Sequence, residues 1–291
     1  MRIARYSVDG QIRYGVVELA ADGGEHPDSV ADVTGDPLVG PVKWSGGRHD
    51  LAAVRLLAPV LPRSKVVGLA FDDAAADDGL APEGADQSRV AAGGAGRGQN
   101  VASPDRSPDA LPAFFLKPNT SVIGPEEPVV IPARSHDTRL AGHVAVVISR
   151  ICRHVPEERV PEVVFGQTVA ADVTAVDWQR PRAPWGVAKS FDSFTPLGPW
   201  IVTHLSLDEA GDLTITTRLD GRVVHRGVTQ PEGWPLGRQI AWLSDVMTLL
   251  PGDVVLMGRP VGAERIEPGQ VVSVDIDEIG RLTNPVVAEE A

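Results

Sequence analysis

The sequence predicts an α+β protein that is mostly β, and three observations lead to this class. Apolar and polar residues alternate on both sides of Asp9-Gly10, and a similar pattern flanks Asp220-Gly221, which is typical of β-hairpins. From residue 111 onward, short β-type runs alternate with turns that contain Gly and Pro. Helical spacing of apolar residues is limited to a few segments, of which residues 239–249 are the clearest.

The N-terminal elements predict a small domain over residues 1–62. Arg2–Val8 and Gln11–Glu18 form the first predicted hairpin. Residues 50–57, after the Gly46-Gly47 break, predict a short helix. A strand is predicted over 63–72, where a second and larger domain begins that runs to residue 291.

Residues 72–110 predict a long insertion in the second domain. The segment consists mainly of Ala, Gly, Asp, Ser, Pro and Arg, with Leu80, Val90 and Val101 as its larger apolar residues. Such a composition buries little apolar surface, so we expect a mobile segment. It is either a solvated surface insertion or a lid that orders over a bound ligand.

The remaining elements of the second domain follow in order. Residues 144–148 predict a buried strand, and residues 213–218 and 223–228 predict the arms of a second hairpin. The helix predicted over 239–249 ends at Pro251-Gly252. A final strand is predicted over Val271–Ile276.

Composition excludes several classes of protein. The chain has 291 residues and a net charge of −12, which argues against non-specific binding to nucleic acid. No apolar run reaches membrane-spanning length, and the N-terminus lacks the apolar region of a signal peptide. Cys152 is the single cysteine, so an intrachain disulfide is impossible. We therefore expect a cytoplasmic protein that acts on a small molecule.

Residues 166–199 carry the clearest chemical signal. An apolar run delivers one carboxylate, Asp172, and after a loop rich in Pro and Trp the chain returns to Lys189 and a Pro-Leu-Gly-Pro turn. A carboxylate near a strand end with a lysine brought beside it is typical of a metal or anion site. The alternative is a structural ion pair of Asp172 with Lys189 or Arg139.

These residues resemble the fumarylacetoacetate hydrolase superfamily. The matching pieces are G-Q-T-V-A-A-D-V-T-A (166–175), A-K-S-F-D-S-F-T-P-L-G-P (188–199), F-F-L-K-P (114–118), I-G-P (123–125) and L-P-G-D-V-V (250–255). The resemblance extends from residue 54 to the end of the chain. It implies the rolled β-fold of that superfamily and a homodimer.

The resemblance also implies a divalent metal, held by an E-x-E pair on one strand and an aspartate on another. Here Ala141-Gly142-His143 matches E-x-E, and Asp172 matches the aspartate. A hard dication prefers several charged oxygen ligands, and one carboxylate with one imidazole is a poor site. We therefore expect no cofactor, with Mg or Mn bound by His143 and Asp172 as the alternative. His143 on an apolar strand is also interpretable as a hydrogen-bonded core residue.

The water-activating residues of the superfamily are changed as well. Its His and Glu correspond to Ala74 and Asp77, and its substrate-facing Arg corresponds to Val176. Without a base poised near neutral pH, activation of water loses a factor of about 10²–10⁴. The expected reaction is therefore non-hydrolytic: tautomerisation, dehydration, cyclisation or decarboxylation.

Seven residues are the candidates for the site. Because residues two apart on a strand share a face, Arg139, Ala141 and His143 are expected on one side. Arginine binds carboxylates without a metal, so a cationic pocket for a small acidic 1,3-dicarbonyl or enol compound is the first hypothesis. The catalytic candidates are Lys189, Asp172 and His143, and the substrate-binding candidates are Arg139, Gln179, Arg259 and Phe71.

Two alternatives remain open. The first is a metal-dependent C–C hydrolase with remodelled ligands, such as His143, Asp172 and either Asp73 or Asp77. The second is a non-catalytic protein that keeps the fold and binds a ligand. Metal analysis separates the hydrolase from the cationic pocket, and the effect of Lys189→Ala on activity separates both enzymes from a binding protein.

Overall fold

The computed structural model describes residues 1–20, 27–70, 112–179, 185–229, 234–258 and 262–290, and β-strands dominate these residues. The predicted α+β, mostly β class is confirmed. Within these described ranges, the strands form two sheets, of 13 and 5 strands. The insertion predicted over 72–110, together with Phe71 and Arg259, lies outside the described residues.

The larger sheet is built around long central strands and extends to both sides of them. Its strands are β1 (Arg2–Val8), β2 (Gln11–Glu18), β3 (Ser29–Thr34), β4 (Lys43–Asp50), β5 (Arg55–Leu57), β6 (Val66–Ala70), β7 (Ala113–Lys117), β8 (Val122–Ile123), β10 (Thr138–Ile148), β11 (Val164–Ala175), β12 (Thr195–Val202), β15 (Val254–Met257) and β16 (Glu264–Arg265). Their hydrogen-bonded order is β4-β3-β2-β1-β12-β11-β10-β15-β6-β7, with β5 paired to β1, β8 to β12 and β16 to β10.

The strands of the smaller sheet are β9 (Val129–Ile131), β13 (Thr214–Leu219), β14 (Arg222–Val228), β17 (Val271–Ile276) and β18 (Gly280–Ala288). Their order is β14-β13-β17-β18-β9. The hairpin predicted near Asp220-Gly221 is present as β13 and β14, and the strand predicted over Val271–Ile276 has the predicted bounds.

The N-terminal hairpin is confirmed at its predicted bounds, with Val8 paired to Gln11 across the turn. The helix predicted over 50–57 is wrong. β4 ends at Asp50, one 3₁₀ turn spans Leu51–Ala53, and β5 pairs with β1. The carboxylate of Asp50 accepts from the backbone N–H of Ala52, so the chain turns back towards the sheet before an α-helix is established. The division between domains at residue 62 stays a prediction, although β1 pairs with β12 of the following part of the chain.

The described residues contain three α-helices: α1 (Trp185–Lys189), α2 (Leu207–Gly211) and α3 (Leu236–Val246). The helix predicted over 239–249 is therefore present, but it lies three residues earlier in the sequence. It follows Pro235 directly, and the backbone becomes extended at Met247. In the described part of the chain, no helix is long and apolar enough to cross a membrane.

The two central strands, β10 and β11, position the candidate site. Apolar residues of both strands, including Val144, Val146, Val169 and Val173, are buried in the main core. Because both faces of these strands are covered, polar residues on them lie in dry surroundings and need partners within the protein. Asp172 and His143 are such residues, and both are buried.

Candidate active site

The ladder between β10 and β11 places the predicted residues on one face of the sheet. Ala141 lies opposite Asp172, Arg139 opposite Thr174, and His143 opposite Ala170. The register is continuous over these pairs. Because side chains two residues apart on a strand point to the same face, positions 139, 141 and 143 lie on one face of the sheet, as expected. Ala141 leaves the carboxylate of Asp172 without a cross-strand acidic neighbour.

Lys117 and Lys189 donate to opposite oxygens of the Asp172 carboxylate. Lys117 Nζ lies 2.5 Å from Oδ1 of Asp172 and 3.1 Å from the carbonyl oxygen of Val173. Lys189 Nζ donates to Oδ2 of Asp172 and, over 2.7 Å, to Oγ1 of Thr174. The group of Lys117, Asp172 and Lys189, called the lysine–aspartate cluster below, carries a net charge of +1 when all three are ionised.

Curvature of the sheet brings Lys117 to this place. β7 is separated from β11 by β10, β15 and β6 in the order of the sheet, and four strand spacings in a flat sheet amount to about 19 Å. The observed contact between Lys117 and Asp172 therefore requires the sheet to curl. The rolled fold that the resemblance implies creates this site.

The lysine–aspartate cluster is dry. The exposed fractions of the side chains are 0% for Lys117, 6% for Asp172 and 10% for Lys189. Buried ammonium and carboxylate groups are tolerated when each charge has a partner of opposite sign and hydrogen bonds, as here. In such surroundings a fixed charge acts on a neighbouring ligand more strongly than in water.

Burial and pairing shift the pKa values of the cluster. Burial lowers the pKa of Lys117 to about 8, although the charge of Asp172 opposes the change and that of Lys189 adds to it. Burial alone would raise the pKa of Asp172, but the charges of Lys117 and Lys189 outweigh it and hold that pKa well below its ordinary value. Asp172 therefore stays ionised at neutral pH and keeps both lysines in position.

His143 is a buried neutral imidazole next to the cluster. Burial lowers the pKa of His143, and the charges of both lysines lower it further, whereas Asp172 and the carbonyl of Met257 oppose the change. Nδ1 of His143 lies 3.1 Å from the carbonyl oxygen of Met257. A carbonyl only accepts hydrogen bonds, so Nδ1 carries the proton and Nε2 carries the lone pair. His143 is therefore a hydrogen-bonded core residue, as one interpretation of the sequence predicted, and its Nε2 is able to take up a proton.

Arg139 forms its ion pair with Asp137. The guanidinium of Arg139 donates to both carboxylate oxygens of Asp137, over 3.0 and 3.2 Å. The ion pair expected as an alternative, between Asp172 and Arg139, is therefore absent, and Asp172 pairs with the lysines instead. Gln179 is half-buried at the end of the 3₁₀ turn that follows β11.

Comparison with known proteins identifies the family. The model described as Fumarylacetoacetate (FAA) hydrolase C-terminal matches residues 85–287, and the model described as Rv2993c-like, N-terminal matches residues 1–59. The chain belongs to the fumarylacetoacetate hydrolase family. The resemblance inferred from the motifs is confirmed.

Solved structures of this family align with the whole chain. A 5-carboxymethyl-2-hydroxymuconate delta-isomerase from Mycobacterium smegmatis is 37% identical, with a TM-score of 0.79 over 99% of this chain and 100% of that one. A 2-hydroxyhepta-2,4-diene-1,7-dioate isomerase from Mycobacterium marinum is 33% identical, with a TM-score of 0.81 over 100% of both chains. The oxaloacetate tautomerase fahd2 of Xenopus laevis is 38% identical over 198 residues, which are 65% of this chain and 60% of that protein.

Lys117 is the residue that sequence reasoning missed. It lies in F-F-L-K-P (114–118), a piece that supports the family resemblance, and it is one of four lysines in the chain. The signal that could have indicated it is that lysine is scarce in this chain and yet occurs at motif positions. Because Lys117 is far from Asp172 in the sequence, no sequence pattern predicted their contact.

The family's metal does not fit the residues that the structure describes. Among them, no three His, Cys, Asp or Glu side chains are grouped so that they could hold an ion. Both oxygens of Asp172 accept from ammonium groups, which a bound dication would have to displace. Asp73 and Asp77, the acidic residues considered as further ligands, lie outside the described residues.

The aromatic ring of Phe115 contacts Lys189. Its Nζ lies 4.3 Å from the centroid of the Phe115 ring, and Trp185 meets the same ring edge to face at 6.1 Å. Trp178 packs against Phe191 and donates from its indole N–H to the carbonyl of Arg134. Trp178 therefore has a packing role, whereas Trp185 supports a ring that contacts the lysine–aspartate cluster.

Proposed function

We propose that this protein catalyses a non-hydrolytic rearrangement, tautomerisation or double-bond isomerisation, of a small acidic 1,3-dicarbonyl or enol compound without a metal. The observation that carries the proposal is the lysine–aspartate cluster, in which Lys117 and Lys189 occupy both oxygens of Asp172. The cluster supplies positive charge at the place where the family pattern would put a dication.

The charge of the cluster suits an enolate. An uncompensated anion is costly to bury, and a preorganised cation in dry surroundings stabilises negative charge that develops on oxygen. Lys117 donates to Asp172 and Val173, and its third N–H has no acceptor among the described residues. We assign that N–H to the enolate oxygen of the substrate, with Lys189 supplying a second, fixed charge.

His143 is the proposed proton carrier. Nε2 takes a proton from the carbon next to a carbonyl group: the C–H bond breaks, an N–H bond forms, and the electron pair enters the enolate. The imidazolium then returns the proton to another carbon or to the enolate oxygen, which restores the neutral imidazole. Asp172 holds the lysines and transfers no proton in this scheme, because both of its oxygens accept hydrogen bonds from ammonium groups, whose charges hold its pKa well below the ordinary value.

The names of the relatives support this reaction class. The two solved structures are named as isomerases of a hydroxymuconate and a heptadienedioate, and the Xenopus protein as an oxaloacetate tautomerase. All three named substrates are small polycarboxylates with enol and keto forms. Residue Arg139, opposite Thr174 in the ladder, is the proposed contact for a substrate carboxylate. A homodimer remains part of the proposal, to be checked by light scattering.

The test is an assay of the EDTA-treated protein on the enol forms of oxaloacetate, 5-carboxymethyl-2-hydroxymuconate and 2-hydroxyhepta-2,4-diene-1,7-dioate. The expected result is ketonisation or double-bond migration that added Mg²⁺ or Mn²⁺ does not accelerate. Lys189→Met should lower kcat/KM by about 10²–10³-fold. The matched control is Lys43→Met, which changes an exposed lysine on β4 and should retain the parent's rate.

Other outcomes would support the alternatives. Release of pyruvate from an acylpyruvate, dependent on Mn²⁺, would indicate a C–C hydrolase with remodelled ligands. Tight binding of the same acids with no turnover would indicate a non-catalytic binding protein. Either result would overturn the proposed rearrangement.

A further inference from the structure

We propose that Phe115 is a positioning residue, whose ring face holds the ammonium group of Lys189 in place within the site. This inference rests on the proposed function, because it assigns to Lys189 the stabilisation of an anionic ligand. It adds a residue that acts through Lys189 and does not touch the substrate.

The ammonium group of Lys189 has one contact besides its two hydrogen bonds, and this contact is with the Phe115 ring. An ammonium group has three N–H donors and no acceptor. Asp172 and Thr174 accept two of them. The remaining side of Nζ faces the Phe115 ring, 4.3 Å from its centroid. A cation this close to a ring face is attracted by the quadrupole of the ring, most strongly where water is excluded.

The surroundings of Phe115 hold the ring in this place. In the ladder between β6 and β7, Phe115 lies opposite Gly68. A Cβ atom at position 68 would lie 2.0 Å from Cζ of Phe115, so the ring occupies the space that any larger residue would fill. Trp185 also packs against the ring through an edge-to-face contact. The ring is therefore buried and confined, as a positioning contact requires.

β7 links this ring to the second lysine. Phe115 and Lys117 are two residues apart on β7 and so point to the same face. Phe115 contacts Lys189, and Lys117 contacts Asp172. One short strand thus fixes both cations of the cluster relative to the carboxylate, one directly and one through the ring.

The decisive experiment replaces Phe115 with mono-, di- and trifluorinated phenylalanine, introduced by stop-codon suppression. Fluorine keeps the size and apolar character of the ring but weakens the negative potential of its face. We expect the affinity for oxalate, used as an enolate mimic, to fall stepwise by about tenfold over the series. We expect the same stepwise loss in kcat on whichever of the three enol substrates named above the parent protein turns over. A lower kcat with an unchanged KM would show that the ring contributes to stabilisation of the enolate.

Phe114 provides the matched control. It is the neighbour on the same strand, it points to the opposite face, and it packs against Trp242 with centroids 6.0 Å apart. The same fluorinated series at position 114 should leave affinity and kcat unchanged. Equal constants throughout the series at position 115 would overturn the inference and leave Phe115 as a packing residue.

A readout without substrate separates this inference from the proposed function. The protein has four lysines, so few signals need assignment when it is labelled with ¹³C-lysine. The Phe115 ring should shift the Hε resonances of Lys189 upfield. Lys189→Met identifies the signal, and Phe115→Leu should return it to the ordinary range. An Hε signal without an aromatic shift overturns the positioning role, even if the enzyme is active. A shifted signal that Phe115→Leu normalises supports the role even if no substrate in the assay turns over.

Discussion

Ala141 lies directly opposite Asp172 in the ladder between β10 and β11. At this position the family pattern has a glutamate, whose carboxylate would face that of Asp172 across the strands. A methyl group neither repels the carboxylate nor binds a cation. With the cross-strand acid gone, two ammonium groups are enough to neutralise Asp172 and leave a net positive charge.

Restoring the acids should restore a metal site. The double variant Ala141→Glu with His143→Glu places two carboxylates on the face of Asp172, and oxygen ligands of this kind suit Mn²⁺. We expect Mn²⁺ at about 100 times its Kd to stabilise the variant by about 2.7 kcal/mol, seen as a higher Tm. Ala141→Glu alone is the control and should respond less. An equal response of the parent protein would contradict the metal-free proposal.

Neutralising Asp172 should destabilise the fold. Asp172→Asn leaves Lys117 and Lys189 buried without a counter-charge, a situation that costs about 3–5 kcal/mol. Urea unfolding at neutral pH measures this loss. Adding Lys117→Met to Asp172→Asn removes one of the two unpaired cations and should recover part of it. If Lys117→Met lowers the free energy of unfolding as much in the Asp172→Asn background as it does in the parent protein, the two residues are not coupled.

The stability of the protein should depend on pH through His143. Its folded-state pKa is lowered from the ordinary value of about 6.5, so the unfolded chain binds a proton more readily than the folded protein. His143 therefore supports the fold above about pH 6.5 and opposes it as the pH falls below that value.

His143→Gln tests this dependence, because the amide can still donate to the Met257 carbonyl but does not titrate. Between about pH 7.5 and about pH 5, the free energy of unfolding should fall more for the parent than for the variant. Parallel pH profiles would show that His143 is not the group responsible.

Arg139 should discriminate between charged and neutral ligands. It lies opposite Thr174, whose hydroxyl accepts from Lys189, and its side chain is only 17% exposed. Arg139→Ala should weaken binding of a dicarboxylate by about 1–3 kcal/mol, because a charge-assisted hydrogen bond is lost. Binding of the corresponding monoester at the distal carboxylate should change less. Calorimetry with both ligands measures the difference, and an equal loss for acid and ester would assign Arg139 to structure alone.

The sequence by itself determined the elements whose signals are local. The hairpin of Arg2–Val8 with Gln11–Glu18 and the strand Val271–Ile276 were predicted at their observed bounds, because alternation of apolar residues and tight-turn residues act within a few positions. The helix α3 was predicted with a shift of three residues: it begins directly after Pro235, and the backbone is already extended at Met247, before the Pro251-Gly252 signal on which the prediction relied. Residues 50–57 were mistaken for a helix because the pairing of Arg55–Leu57 with β1, a distant strand, has no local signature.

The site shows the same division. Asp172 and Lys189 were predicted to meet, and they do, because one continuous motif carries both residues. The contact of Lys117 with Asp172 depends on a curled sheet that brings β7 across three intervening strands. The position of the Phe115 ring depends on the space that Gly68 leaves beneath it. Sequence patterns report which face of a strand a residue occupies, whereas curvature and packing across the sheet decide which faces meet, and only the tertiary structure contains that information.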